Sequence, residues 1–330
     1  METKTKYDIL VESAYHGYPD PKVPGGRKVV LNNVDIKIKS GEFVTMVGPS
    51  GCGKSTLLRL ITGQEQVDTA LQFQIMGGPA GFPDRRRGVV FQNYTLAPHL
   101  TVLGNILLSL KYQADPWREL WSPKWNRQAR LLAEGYLKKI RLEGAGDKYP
   151  HELSGGMKQR VAIAQTLITI DLFAMPKILC MDEPYGALDP STREELQVFI
   201  LELWEKYKTT VIFVTHDIEE AVFLGSRIVT LSQFWQPDVS GNSITTGARI
   251  VFDQLLPRQA LSTKVKTTPE FAAMVAKVLE QGFRPEHRVH VSKFNLSHPD
   301  SFRTLSTEED PKNGKFSEVA LNGNGHGAGK

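Results

Sequence analysis

The chain has 330 residues, enough for one large domain with a sizeable core or for two modest ones. Its 40 basic and 36 acidic residues leave a formal charge of +4, without the basic excess expected of a nucleic-acid binder. No apolar run approaches the ~18 residues needed to cross a bilayer. The polar start, with Glu2, Lys4 and Lys6, lacks the apolar stretch of a secretory leader. Cys52 and Cys180 suggest neither a disulfide framework nor a metal site, so the expectation is a soluble protein in a reducing compartment.

Asp8 to Glu12, Val29 to Ile38 and Glu42 to Val47 read as strands, separated by turn material around Pro19 to Gly26 and at Ser40-Gly41. Gly48, Pro49, Ser50, Gly51, Cys52, Gly53, Lys54 and Ser55 then complete the pattern G-x-x-x-x-G-K-[ST]. The pattern sits where it needs to be, between a strand and a helix over Ser55 to Ile61 that Gly63 closes. Glycines let the backbone wrap so that successive N–H groups converge on phosphate oxygens at a helix start. Lys54 is expected to neutralise β- and γ-phosphates and Ser55 to ligate Mg²⁺, with Thr56 in the same phosphate-facing turn. Cys52, inside the loop, is expected to be shielded from alkylation once nucleotide is wrapped. Arg85, Arg86 and Arg87 form the densest basic cluster and read as a solvated loop.

Thr101 to about Leu142 reads as mainly helical, interrupted by Pro116 and Pro123 among Trp117, Trp121 and Trp125. Leu153-Ser154-Gly155-Gly156 then precedes another helical pattern, giving a second helix start suited to an anion. Ile178 to Met181 is a short apolar strand that ends on Asp182 and Glu183. An isolated Asp-Glu pair is usually a surface feature, but at the end of a buried strand of an NTPase it has work to do. Asp182 can hold Mg²⁺ through water, and Glu183 can orient and deprotonate the attacking water. A helix over Ser191 to Tyr207, a strand Thr210 to Thr215 followed by His216, a helix Ile218 to Leu224 and a strand Arg227 to Leu231 complete an alternating order. That order implies a parallel sheet with helices on both faces. Arg249 to Phe283 contains a helix with Pro269 in its first turn behind Thr268. From about Ser306 the chain is polar and Gly-rich, and reads as a disordered tail.

With these motifs in this order, the chain resembles the ATP-binding cassette (ABC) family over about Ile9 to Phe283. The resemblance implies an α/β P-loop NTPase of ABC type. Its RecA-like core sheet would carry an antiparallel β subdomain and a helical subdomain at about 93–170. The ATPase domain would span 1–235, a short C-terminal extension 236–290, and a disordered tail 291–330. It implies ATP and Mg²⁺ as ligands. In the family, the motif at Ser154, Gly155 and Gly156 covers nucleotide held by a partner subunit, the loop at Ala187-Leu188-Asp189 communicates across the dimer, and the histidine at His216 touches the γ-phosphate. Gln92, in Val89-Val-Phe-Gln92, matches the glutamine that senses the γ-phosphate and Mg²⁺. An upstream aromatic stacks on adenine; Tyr18 fits that role best and Tyr15 is its rival.

Gly88 to Gln92 and Leu100 to Asn105, with Gly247 to Val251, Leu256 to Arg258 and Thr268 to Phe271, are similar to the importer branch for nitrate, sulfonate and taurine. The implied partners are a membrane permease, a second ABC ATPase subunit (a homodimer expected) and an external solute-binding protein, with no nucleic acid. The implied location is the cytoplasmic side, peripheral on the inner face of the cell membrane. Three departures stand out: Pro98-His99 where the branch commonly has Pro-Trp, a Trp-bearing insertion at Asp115 to Trp125, and another at about Phe234 to Thr246. Trp117 and Trp121 are the aromatics of the first insertion best suited to contact the permease. Two other classes stay open on the sequence alone. A soluble ABC ATPase acting on ribosomes or DNA usually carries two cassettes or a long coiled-coil insertion, and neither is present in this sequence. A regulatory subunit with a ligand-sensing C-terminus finds no recognisable pocket motif between Lys293 and Lys330.

Overall fold

The computed structural model describes residues 7–22, 26–91, 96–113, 123–233, 235–236, 247–256, 263–283, 289–290 and 295–296. The expectations placed on Gln92, Pro116, Trp117, Trp121, most of Phe234 to Thr246 and the tail from Ser306 lie outside the described residues. The chain begins with β1 (Tyr7–Pro19), β2 (Arg27–Lys39) and β3 (Phe43–Val47), followed by α1 (Lys54–Thr62). Next come β4 (Gln72–Ile75), β5 (Gly78–Pro79), β6 (Arg87–Val90), α2 (Val102–Gln113), α3 (Pro123–Lys139) and α4 (Gly155–Phe173). Then β7 (Ile178–Asp182), α5 (Pro190–Tyr207), β8 (Thr210–Val214), α6 (Ile218–Leu224) and β9 (Arg227–Ser232) alternate. The last elements are β10 (Trp235–Gln236), β11 (Arg249–Leu255), α7 (Pro269–Phe283), β12 (Val289–His290) and β13 (Asn295–Leu296).

Two sheets organise these elements. The first is antiparallel, in the order β2-β1-β4-β5. The second is the core, in the order β13-β11-β9-β3-β8-β7-β6, parallel from β9 through β6, with β11 antiparallel to β9. The period-two alternation of strand side chains decides which layer each residue joins. In β7, Ile178 and Cys180 face the antiparallel sheet and α1, whereas Leu179 and Met181 face the helices. In β8, Ile212 and Val214 take the first side and Val211 and Phe213 the second. Both faces are therefore dry, as the unbroken apolar runs require. Among the described residues, no helix is long and apolar enough to cross a membrane.

Helix starts follow their caps. Ser154 accepts from Met157 N at the head of α4, Asp189 from Thr192 N at α5, and Asp217 from Glu220 N at α6. Pro123 opens α3 rather than interrupting a helix, because a proline's missing N–H costs nothing in the first turn. The strands β4, β5 and β6 had no sequence reading of their own; they are short and only partly buried. The basic cluster corrects an expectation. Arg86 is exposed beside Asp84, but the side chain of Arg87 is 2% exposed. Arg87 donates to the carbonyls of Ile61 and Phe82 and to Asp84, closing the carboxyl end of α1 from β6. Only two of the three arginines are solvated.

The segment after β9 is built into the core. Phe252, Leu256, Phe271 and Val278 are buried in the same cluster as Phe43 and Phe213. The fully buried Arg227 on β9 donates one edge of its guanidinium, Nε and Nη2, to Asp253 on β11 at 2.8 and 2.7 Å, and Nη1 to Lys37 O on β2 at 2.6 Å and to Glu42 at 3.2 Å. This bidentate pair fastens the antiparallel sheet, β9 and β11 at one point. Asp253→Ala is expected to lower unfolding free energy by ~3 kcal/mol, because it leaves the Nε and Nη2 donors of a desolvated guanidinium without acceptors, with Glu42 alone opposing its charge. Urea melts of the two proteins measure this, and a difference under ~1 kcal/mol would show that the pair is not the fastening.

Candidate functional site

The carboxyl ends of β3, β8 and β7 lie side by side: Met46 pairs with Val214, and Val214 with Asp182. The chain leaving each strand at that edge carries the expected residues. From β3 runs the loop 48–53 into α1. Gly48 is dictated by crowding, since a Cβ there would stand 2.0 Å from Leu231 O and 2.9 Å from Cys52 Sγ. Gly53 caps α1 at φ 99°, and a Cβ there would meet Val30 Cγ1 at 2.8 Å. No side chain caps α1 and no acidic residue sits in its first turn. Its leading N–H groups are thus left for an anion that the loop itself does not supply. Lys54, 6% exposed, folds back to donate from Nζ to the carbonyls of Gly48 (2.8 Å) and Pro49 (3.1 Å). Its charge is held by carbonyl dipoles at the mouth of the loop.

Asp182, at the end of β7, is hydrogen-bonded to the Ser55 hydroxyl in the first turn of α1. Burial pushes its carboxyl above the usual range and the neighbouring Glu183 adds to this, while Ser55, Arg59 and Lys54 oppose it. Glu183 follows with φ 48°, a left-handed conformation uncommon outside glycine, and its N–H donates to Val214 O at 2.9 Å. That twist turns its carboxylate out of the sheet edge toward His216, whose Nδ1 is 3.4 Å away. His216 is 65% exposed and Glu183 24%, so the pair faces outward beside the loop.

Tyr18, near the end of β1, reaches the same region. Its hydroxyl donates to Glu65 Oε2 at 2.6 Å, lies 3.3 Å from Thr56 Oγ1 in α1, and accepts from Arg59 at 3.3 Å. His16 abuts its ring edge-on, with centroids 5.2 Å apart. Burial, then Glu65, raises the Tyr18 pKa; burial opposes the hydrogen bonds from Tyr18 and Arg59 that hold Glu65 below its usual range. Tyr15 instead bridges to Thr69 by a backbone bond of 2.7 Å. Glu65, Arg59 and His16 were not singled out in the sequence. Their link to Tyr18 spans from two to 47 positions, and no local pattern announces it.

Ser154 is exposed at the head of α4, where its hydroxyl accepts from Met157 N at 3.3 Å. Gly155 begins that helix, and Gly156 lets it approach the loop after β7: a Cβ there would meet Ala187 O at 2.8 Å. Asp189 heads α5 as its cap, and the Thr192 N–H and side chain, followed by Ser191, hold its carboxyl down at about 2. Gln92 lies outside the described residues; Val90, two positions before it, pairs with Met181 beside Asp182. The structure thus gathers the loop 48–55, Thr56, Tyr18, Asp182, Glu183 and His216 at one edge. Ser154, Gly155, Gly156 and Asp189 stand at two further helix starts.

The family described as ABC transporter matches residues 31–186. The chain is 39% identical over 258 residues to the aliphatic sulfonates import ATP-binding protein SsuB of Bacillus subtilis, covering 78% of this chain and 88% of that protein. It is 39% identical over 246 residues to the nitrate import ATP-binding protein NrtD of Synechocystis sp., covering 74% and 85%. Among solved structures it is similar to the ABC transporter cassette MJ0796, solved as a dimer, with a TM-score of 0.61 and 32% identity over 76% of this chain and 100% of that one.

Cys52 is already shielded by the fold itself. Its side chain turns inward, 1% exposed, and burial raises the thiol pKa against the pull of Lys54. Cys180, inside β7, is pushed up to about 12 by burial. Shielding therefore does not wait for nucleotide. Both thiols are expected to react with iodoacetamide at neutral pH at least about tenfold more slowly in the folded protein than in urea. Mass-spectrometric labelling of Cys52 at the unfolded rate would contradict the buried thiol.

Proposed function

The chain belongs to the ABC transporter family and is an ATPase, and we propose that it energises a membrane importer for a small solute of the nitrate, sulfonate or taurine kind. The observation that carries the chemistry is the Glu183–His216 pair at 3.4 Å, set beside the Asp182–Ser55 bond and the uncapped start of α1. The importer reading is supported by relatives named as import ATP-binding proteins that align with most of this chain.

In this reading the N–H groups of the loop and of α1 receive the phosphates, and Lys54 exchanges its carbonyl partners for β- and γ-phosphate oxygens. Tyr18 offers its ring to adenine, and its hydroxyl bonds to Glu65 and Thr56 fix how the ring stands. Ser55 and Asp182 supply two hard oxygen donors already within reach of each other. Among the described residues, no three His, Cys, Asp or Glu side chains gather into a metal cage. That donor set fits Mg²⁺, which binds through one or two protein ligands and keeps phosphate and water oxygens for the rest of its shell. When bound, the ion neutralises charge on the β- and γ-oxygens. Glu183 accepts the proton of the attacking water, and His216 holds the terminal phosphate toward it. Gln92 completes the metal and phosphate contacts.

The Ser154 helix start is exposed, and in this reading it closes over nucleotide held by a second chain. We assign that second chain to another copy, in line with the dimer formed by MJ0796. A permease and an external solute-binding protein complete the system, with this subunit on the inner face of the cell membrane.

Glu183→Gln is expected to bind ATP normally, trap the dimer, and turn over about a hundredfold more slowly or worse. Steady-state hydrolysis above about a tenth of the parent rate would remove Glu183 from the role of base. The transport reading is tested by tagging the chain and identifying what co-purifies from gently solubilised membranes. A multi-span protein is expected, and ribosomal or DNA-repair partners alone would leave the ATPase and overturn the importer.

A further inference from the structure

The loop that carries His216 is short, running from Thr215 to Asp217 between β8 and α6. Inside it, Thr215 Oγ1 accepts from Asp217 N at 3.0 Å, which leaves the Thr215 hydroxyl proton to be donated elsewhere. Glu220, in the first turn of α6 and 5% exposed, is tied to the loop by its N–H, which donates to Asp217 Oδ1 at 3.0 Å. The Thr215 hydroxyl favours its ionised carboxylate. The same carboxylate accepts from Gln197 Nε2 on α5 at 2.9 Å. Gln197, 1% exposed, in turn accepts at Oε1 from Lys266 Nζ at 3.0 Å. Lys266 belongs to the turn Thr263–Thr267 ahead of α7, and its ammonium also stands 4.8 Å from the ring centre of Phe223 on α6.

The direction of these bonds is fixed by chemistry. An ammonium only donates and a carboxylate only accepts, so the amide of Gln197 has one orientation that serves both. Lys266 braces that orientation from a segment more than sixty positions along the chain. Without it, the buried amide oxygen loses its donor, and the bond from Nε2 to Glu220 is no longer braced from the far side of the amide. Around Glu220, burial and Asp217 disfavour the ionised form, whereas Thr215, Gln197 and Arg193 favour it. Arg193 lies 3.6 Å from Asp217.

We propose that Glu220 is a positioning residue for His216, held by a relay through Gln197 to Lys266, so that the C-terminal segment tunes ATP turnover without touching nucleotide. This rests on the assignment of His216 to the terminal phosphate. The relay acts on where the loop after β8 stands, and not on the phosphate loop 48–55 or on Tyr18. Its loss therefore belongs in kcat rather than KM.

The test is the steady-state ATPase of the full-length chain carrying Lys266→Met, Lys266→Arg, Gln197→Leu, the pair Lys266→Met with Gln197→Leu, and His216→Ala. Lys266 is only half-buried, so its replacement keeps the fold, which thermal melting verifies. Lys266→Met is expected to lower kcat about fivefold with KM for ATP within about twofold, and Lys266→Arg to restore most of it. The double variant should be no slower than Gln197→Leu alone, since both cut one relay. Unchanged kcat in Lys266→Met, a parallel rise in KM, a failure of Lys266→Arg to rescue, or additive losses would each overturn the relay. The two ideas separate at His216→Ala. If that variant keeps parental turnover, the role of His216 fails; if it is inactive while Lys266→Met is silent, only the relay fails.

Discussion

The site depends first on the parallel pairing of β3, β8 and β7 in a register that levels their carboxyl ends. Met46, Val214 and Asp182 stand in line across the sheet. One consequence is that the phosphate loop, the paired carboxylates and His216 emerge together, although they lie at positions 48–55, 182–183 and 216 of the chain. A parallel sheet presents its loops this way because each strand leaves the same edge before its crossover. A slip of one residue in any strand would swap the two dry faces and carry the attached loop to another level. The alternation of Ile178 and Cys180 against Leu179 and Met181 guards against it, because each face fits a different layer.

On that frame the electrostatics are arranged for a polyanion. The edge combines an uncapped helix start, a lysine hydrogen-bonded to backbone carbonyls, and an aspartate whose burial resists its own ionisation. Each of these is costly in the free chain and is relieved by phosphate and its counter-ion. Glu183 adds strain of another kind, since a non-glycine residue at positive φ persists only where its surroundings over-determine it. Here its N–H bond to Val214 O does so, which ties the geometry of Glu183, the proposed base, to the register of β8.

The phosphate loop, the strand ending in Asp182-Glu183 and the helix starts at Ser154 and Asp189 were legible in the sequence because local rules generate them: glycine where Cβ cannot go, a cap before a helix, an apolar run before an acid. Most of the parallel strands and helices were legible for the same reason. What escaped depends on which distant surface comes to rest against a residue. Arg87 looks like its neighbours Arg85 and Arg86 until the end of α1 arrives beneath it. Cys52 looks exposed in a glycine loop until Gly48 lets its sulfur turn inward. Glu65 has no signature, yet it holds the hydroxyl of Tyr18 from 47 positions away. The short strands β4, β5 and β6 were missed because their burial is partial and their period cannot develop over two to four residues.

The C-terminal segment belongs to the same argument. Read as sequence, Arg249 to Phe283 is an extension that follows a complete ATPase. In the fold it contributes a strand to the core sheet, a buried carboxylate to the central guanidinium, and Phe271 and Val278 to the helix-side core. An appendage on a flexible tether transmits little, because its movement dissipates in the tether. A segment packed at interior density moves with its neighbours, and any change in it must be absorbed by them. The ends of β9 and β11 and the face of α6 are therefore one mechanical unit with the loop bearing His216.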